Sequence, residues 1–382
     1  MIMYNQEAIV DKVIMDELVL QYPELKSIIK KTSPHEVRGG VLSVLDKNKR
    51  TEHSIYKFYY ELCKKDINMK HMDDMVTHLW NYINSTNVDK EKYGEVMTPK
   101  WLVNEMLDTL PKSVWTNKDL KWFDPCNGVG TFPSIIVQRL MKGLENVIPN
   151  PKKRYRHIIE EMIYVCELQP KNMYIFHCVF DKQDIYELNT FYGSFLSNEF
   201  DEYKKNIWGV DKFDIIIGNP PYNEEFKEDN NRAKNLYNKF IERAIPLCDK
   251  LLFVTPSRWL SGGFNLDKFR EMMFKRNDIR FINHFPNSDK VFKGTDITGG
   301  ISYFLIDSKY NGNLLFNDVK CDLGRYDIFV HPKNYSLVDK VITDNNLSTI
   351  CKSQSYYGFP GNESLFVKEK KRKLSQSIRI KK

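Results

Sequence analysis

The sequence predicts a doubly wound α/β sheet, preceded by a helical region over residues 1–90 and followed by a small irregular C-terminal domain over 311–382. Three observations predict this. From Tyr93 onward, short apolar runs alternate with helical stretches, the pattern of a mostly parallel sheet wrapped by helices. Before that point, apolar residues recur at helical spacing and strand signals are scarce. After Tyr310 the pattern breaks up around Gly312, Gly324, Gly358 and Gly361.

The N-terminal region shows its helical spacing at Ile9, Val13 and Leu18, and again at Ile55, Phe58, Tyr59 and Leu62. Within it, Glu24-Leu25-Lys26 downstream of Asp11 and Asp16 has the acidic-x-lysine order of metal-dependent nucleases, a pattern so short that chance on a helix surface explains it better. The expected strands then follow as Lys121–Asp124, Ile163–Cys166, Thr190–Gly193, Phe213–Ile217, Lys250–Thr255, Phe281–Phe285 and Ile301–Ile306. Seven strands suffice for one sheet. Ligands in such sheets bind beyond the carboxyl ends of the strands, and the distinctive residues of this chain fall there.

Composition narrows the class. At 382 residues, 42% hydrophobic and 13% aromatic, the chain has material for substantial cores. No apolar stretch approaches the roughly 20 residues that span a bilayer, and Met1 to Val10 lacks the basic-then-apolar order of a signal peptide, so a cytoplasmic protein with no membrane partner is expected. Seven scattered cysteines without a Cys-x-x-Cys pair argue against a disulfide framework, and no metal is expected. The net charge of +7 is matched by the tail alone. From Ile350 to the end, nine basic residues, among them Lys368, Lys370, Lys371, Arg372 and Lys373, face only Glu363 and Glu369. Such a segment suits nucleic-acid phosphates, and a solvated tail is the alternative.

Chemistry concentrates in three runs. Asp214-Ile215-Ile216-Ile217-Gly218-Asn219-Pro220-Pro221-Tyr222 is an apolar strand that stops at two prolines. Without amide hydrogens the prolines cannot continue a ladder, so an amide, outward carbonyls and an aromatic face gather at one strand tip. Asp124-Pro125-Cys126-Asn127-Gly128-Val129-Gly130-Thr131-Phe132 joins a strand to a helix, with glycines that let the backbone approach a ligand. Glu167 ends the next strand, where an acid commonly holds ribose hydroxyls. A tight turn alone explains the glycines almost as well, but the combination of Asp124, Gly128, Gly130 and Glu167 points to an adenosine-containing cofactor.

The order of these runs resembles the amino-methyltransferases that use S-adenosylmethionine. More narrowly, Tyr93-Gly94-Glu95-Val96-Met97-Thr98-Pro99-Lys100-Trp101-Leu102-Val103 looks like the leading motif of DNA adenine methyltransferases of the gamma arrangement, and Gly299-Gly300-Ile301-Ser302-Tyr303-Phe304-Leu305 is similar to a late segment of the same restriction-modification group. The resemblance covers about 91–310 and implies a Rossmann-like seven-stranded methyltransferase sheet as the catalytic domain. It implies Thr98 and Pro99 at the methionine end of S-adenosylmethionine, Asp124, Gly128 and Gly130 around its amino-acid portion with Pro125 and Phe132 beside them, and Glu167 on the ribose. The family places an Asp after the strand-ending glycine to accept from the cofactor adenine. Here Gly193 is followed by Ser194, which weakens that contact, and Phe195 is left to pack on the adenine.

Asn219, Pro220, Pro221 and Tyr222 are then the catalytic set, with Tyr222 and Phe292 stacking on a flipped base, although Phe292 reads equally as core. The expected partners are DNA and a separate restriction endonuclease or specificity subunit, because 70 C-terminal residues are few for target recognition. Two alternatives stay open: a methyltransferase acting on a glutamine amide of a protein, and a catalytically silent DNA-binding subunit.

Overall fold

A computed structural model describes residues 97–181, 185–223, 234–261, 263 and 265–341. The helical reading of 1–90, the Glu24-Leu25-Lys26 pattern and the basic tail lie outside the described residues. The chain divides into two compact units, Met1–Phe329 and Val330–Lys382.

The first unit is built on one mixed sheet. Its strands are β1 (Trp122–Asp124), β2 (Ile163–Glu167), β3 (Asn189–Tyr192), β4 (Phe213–Gly218), β5 (Cys248–Pro256), β6 (Ile279–Phe285), β7 (Ile301–Asp307), β8 (Leu314–Phe316) and β9 (Val319–Cys321). Their spatial order is β3-β2-β1-β4-β5-β7-β6-β8-β9. The first five in that order run parallel, and β7 inserts antiparallel between β5 and β6. Strand β1 starts a path that goes outward through β2 and β3 and then returns to β4 on its other side, so the order reverses between β1 and β4.

Alternation along β4 explains how the sheet is covered. Ile215 and Ile217 face one core with Trp122, Leu252 and Val254, while Ile216 faces the other with Phe123, Leu251 and Phe253. Both faces are apolar, as a central parallel strand requires. On the first face lie helices α1 (Lys100–Asp108), α2 (Thr131–Gly143), α3 (Pro151–His157) and α4 (Pro170–Phe180); on the second lie α5 (Asn198–Asn206), α6 (Tyr237–Ala244) and α7 (Asp267–Phe274). Local chemistry sets their starts. Asn150 caps α3 by accepting from Lys153 N–H at 3.0 Å, with Pro151 at the first helical position, and Ser197 caps α5 through Phe200 N–H.

Seven strands are expected from the sequence and nine are present among the described residues. The added pair, β8 and β9, is a hairpin whose two-residue turn is Asn317 (φ 44°) and Asp318 (φ 63°), both in the left-handed region that matches strand twist. The hairpin extends the sheet at β6 through Phe281 opposite Leu315 and Ile282 opposite Phe316. The sheet therefore runs past residue 310, where the sequence suggests irregular structure, because Leu314–Phe316 and Val319–Cys321 are brief runs set among Gly, Asn and Asp. In the second unit, a short turn at Pro332–Asn334 leads into helix α8 (Tyr335–Val341).

Candidate active site

The carboxyl ends of β1 and β4 meet where the strand order reverses, the place where α/β sheets open a crevice. Lys121 N–H donates to Asp214 Oδ2 at 2.7 Å across 93 residues of sequence, tying the two strands together at their amino ends. Above them lies a cleft of about 250 Å³, near the lower end of small-molecule sites at roughly 300–1,000 Å³.

One wall is the β1–α2 loop. Gly128 and Gly130 have φ of 56° and 94°, and a Cβ on Gly130 would lie 2.9 Å from Phe180 Cε2, whereas one on Gly128 would meet no atom within 4 Å. Glu167, at the tip of β2, holds the loop: its Oε2 accepts from Gly128 N–H and its Oε1 from Gln169 N–H, each at 2.7 Å. Charge-assisted bonds of this length fix a carboxylate firmly. Helix α2 begins without a side-chain cap, and its first residues Thr131 and Phe132 line the cleft. Beneath the loop, Asp124 is 2% exposed; its Oδ1 accepts from Cys126 N–H at 3.1 Å. Burial, opposed by the bonds from Cys126 and reinforced by the Glu167 charge, pushes its carboxyl up to about 8.

The opposite wall comes from β3 and β4. Ser194 lines the cleft and folds its own turn, its Oγ accepting from Leu196 N–H at 3.2 Å. Phe195 is packed among Phe123, Phe200 and Phe240, with the Arg243 guanidinium 5.4 Å above its ring. Asn219 and Pro221 close the cleft beyond β4. Burial pushes the Tyr222 hydroxyl well above its ordinary range, opposed by the neighbouring Asn219 side chain. The Tyr222 ring meets Phe292 edge-on at 6.4 Å.

Residues 151–292 match the Eco57I restriction-modification methylase family model. That stretch of the chain, from α3 through β6 to the turn after it, is what resembles the family. An uncharacterized adenine-specific methylase of Mycoplasma pneumoniae is 29% identical over 299 residues, covering 60% of this chain and 71% of the relative. Two solved structures share the fold at a TM-score of 0.50: the DrdV–DNA complex, 17% identical over 76% of this chain, and the ATP-dependent Type ISP restriction-modification enzyme LlaBIII bound to DNA, 16% identical over 81%. The chain spans 34% and 26% of those two enzymes.

The fold brings most of the sequence-predicted residues to one place. Thr98, Pro125, Gly128, Phe132, Glu167, Ser194, Phe195, Asn219 and Pro221 line the cleft. Asp124 and Gly130 lie behind the loop, Pro99 precedes α1, and Pro220 is buried at the β4 tip. Phe292 is 3% exposed in the core and reaches the site only through Tyr222. Cleft residues that sequence reasoning passed over include Met97, Cys126, Asn127, Gln169, Asn172 and Phe240. Two of these stood inside the recognised Asp124–Phe132 run. Gln169 was signalled by Pro170 at the first position of α4, a helix start directly after Glu167.

Proposed function

We propose that this protein transfers the methyl group of S-adenosylmethionine to the exocyclic 6-amino group of adenine in DNA, as the modification enzyme of a restriction-modification system. The observation that carries the reading is the meeting, in one cleft, of Asn219 and Pro221 with Gly128, Glu167, Ser194 and Phe195. The cofactor supplies an electrophilic sulfonium methyl. The lining suits it: the uncapped start of α2 offers amide hydrogens to a carboxylate, Glu167 is held in place to accept from ribose hydroxyls, and Phe195 backs the side where a flat adenine packs. Asp124 lies beneath the amino-acid portion, with Pro125 and Gly130 shaping the loop and Thr98 and Pro99 at the methionine end.

Adenine's amine is a poor nucleophile because its lone pair is delocalised into the ring. The Asn219 oxygen and the Pro220 carbonyl each accept one amine hydrogen, draw the nitrogen toward tetrahedral geometry and stabilise the positive charge it gains during transfer. Pro220 and Pro221 keep that backbone rigid. Tyr222 stacks on the extruded base with Phe292 bracing its ring, which offsets part of the cost of flipping. The catalytic role belongs to the unit that holds the sheet, and the basic residues after Ile350 contact DNA. A separate endonuclease or specificity subunit completes the system, in the cytoplasm.

The test is transfer from labelled S-adenosylmethionine to unmethylated duplex DNA, with nucleoside analysis. The expected product is N6-methyladenine. Asn219→Ala should lower the rate by about 10²–10³-fold, the effect of removing one preorganised electrostatic group. Tyr222→Ala should lower it about 10–100-fold, the equivalent of one base–aromatic stack. Cofactor binding without any transfer to DNA would sink the proposal.

A further inference from the structure

The late run Gly299-Gly300-Ile301-Ser302-Tyr303-Phe304-Leu305 leads into strand β7 and contributes no residue to the cleft lining. Its Tyr303 reaches instead to the helix that follows Thr98. The ring is 1% exposed, in the same core as Leu102, Val103 and Met106 of α1, with the rings of Phe281 and Phe285 at 5.8 and 6.2 Å. A phenol hydroxyl in such a place needs polar partners, and this one has two. It donates to Glu105 Oε1 of α1 at 2.7 Å and accepts from Asn283 Nδ2 of β6 at 2.5 Å. Glu105 and Tyr303 are 198 residues apart, so the bond joins the leading helix to a late strand.

The placing of α1 matters because its start is part of the cleft. Met97 and Thr98 line it, and the Pro99 carbonyl accepts from Leu102 N–H at 3.0 Å and Val103 N–H at 3.1 Å, so lining and helix are one continuous piece of backbone. From α2, Arg139 donates to Asp108 Oδ1 and to Asn104 Oδ1, each at 2.7 Å. Helix α1 is thus clamped by polar bonds to its neighbouring helix and, through Tyr303, to the sheet. We infer that Tyr303 is a positioning residue for cofactor binding, whose hydroxyl, held between Asn283 and Glu105, fixes α1 and with it the Thr98 wall of the cleft. The inference rests on the proposed place of Thr98 at the methionine end of S-adenosylmethionine, and it gives a role to a strand that lies outside the cleft.

Tyr303→Phe in the full-length protein keeps the ring and removes the hydroxyl, and two readouts that need no DNA test the inference. Hydrogen–deuterium exchange over residues 100–108 should quicken. The Kd for S-adenosylmethionine, measured by calorimetry, should rise about tenfold, the scale of one hydrogen bond to a charged group. Glu105 is exposed, so it can be varied without opening the core. Glu105→Ala should reproduce both changes, and Glu105→Gln, which keeps an acceptor, should behave as the wild type. The double variant Tyr303→Phe, Glu105→Ala should be no weaker than either alone, since both remove one bond; additive losses overturn the inference. So does a Tyr303→Phe protein whose melting temperature falls while Kd holds, because the bond is then structural only. In the transfer assay KM for S-adenosylmethionine should rise with kcat unchanged, and a fall in kcat with KM intact overturns it. If the wild type binds the cofactor but methylates no DNA while Kd and exchange respond as expected, the clamp stands and the substrate reading fails.

Discussion

Asp124 holds a proton that an exposed aspartate would have lost. Its ordinary value of 3.8 is raised to about 8 in the fold, chiefly by burial, so between these limits the folded state binds more protons than the unfolded one. Stability is therefore full below about pH 4 with respect to this group and declines as pH rises toward 8, by at most about 1.4 kcal/mol per pH unit. Thermal melts from pH 5 to 8.5 should show Asp124→Asn flattening that decline. The two loop glycines separate by a different measurement. Gly130→Ala drives a Cβ into the ring of Phe180, which is stacked on Phe176 at 4.3 Å, and should cost about 1–3 kcal/mol. Gly128→Ala meets open space and should cost only about 1–2 kcal/mol of left-handed strain, yet weaken the thermal shift given by S-adenosylmethionine. These glycines, Asp124 and Glu167 were legible because each sits beside a strand end in one recognisable run. Cys126 stood in the same run unremarked, because the β4 tip it packs beside at Gly218 is brought near only by the fold.

At the scale of elements, the seven strands β1 to β7 could be read from their apolar runs, with β5 and β6 each beginning two residues before the expected start. The β8–β9 hairpin could not, although Asn317-Asp318 between two apolar triplets was the available signal. Its weight in the fold is not small. Phe316 is 1% exposed and stacks on Phe329 at 4.1 Å, so Phe316→Ala should cost about 3–5 kcal/mol in denaturant unfolding. The hairpin also covers what would otherwise be the open edge of β6, a place where chains associate.

For the whole molecule, the match to the Eco57I family covers residues 151–292, whereas the excess positive charge is concentrated after Ile350. Site chemistry and tail charge can therefore be varied separately. Replacing the basic cluster Lys368, Lys370, Lys371, Arg372 and Lys373 with glutamine should weaken DNA binding on all sequences alike. It should also flatten the dependence of log K on log salt by up to about 0.9 for each phosphate that the tail no longer neutralises, with the cofactor thermal shift unchanged. Fluorescence anisotropy across a salt series measures this. The tail's composition was plain in the sequence; which DNA sequence the enzyme marks was not, since base-edge readout depends on a surface rather than on a run of residues.

The register of β1 against β4 also bears on how the chain acquires its site. Lys121 and Asp214 are 93 residues apart when they bond, and a pairing so distant in sequence must first meet the entropy of closing a long loop. A nascent chain that has displayed only the glycine loop has half a crevice and no acceptors. Competence depends on the docking of the fourth strand beside the first.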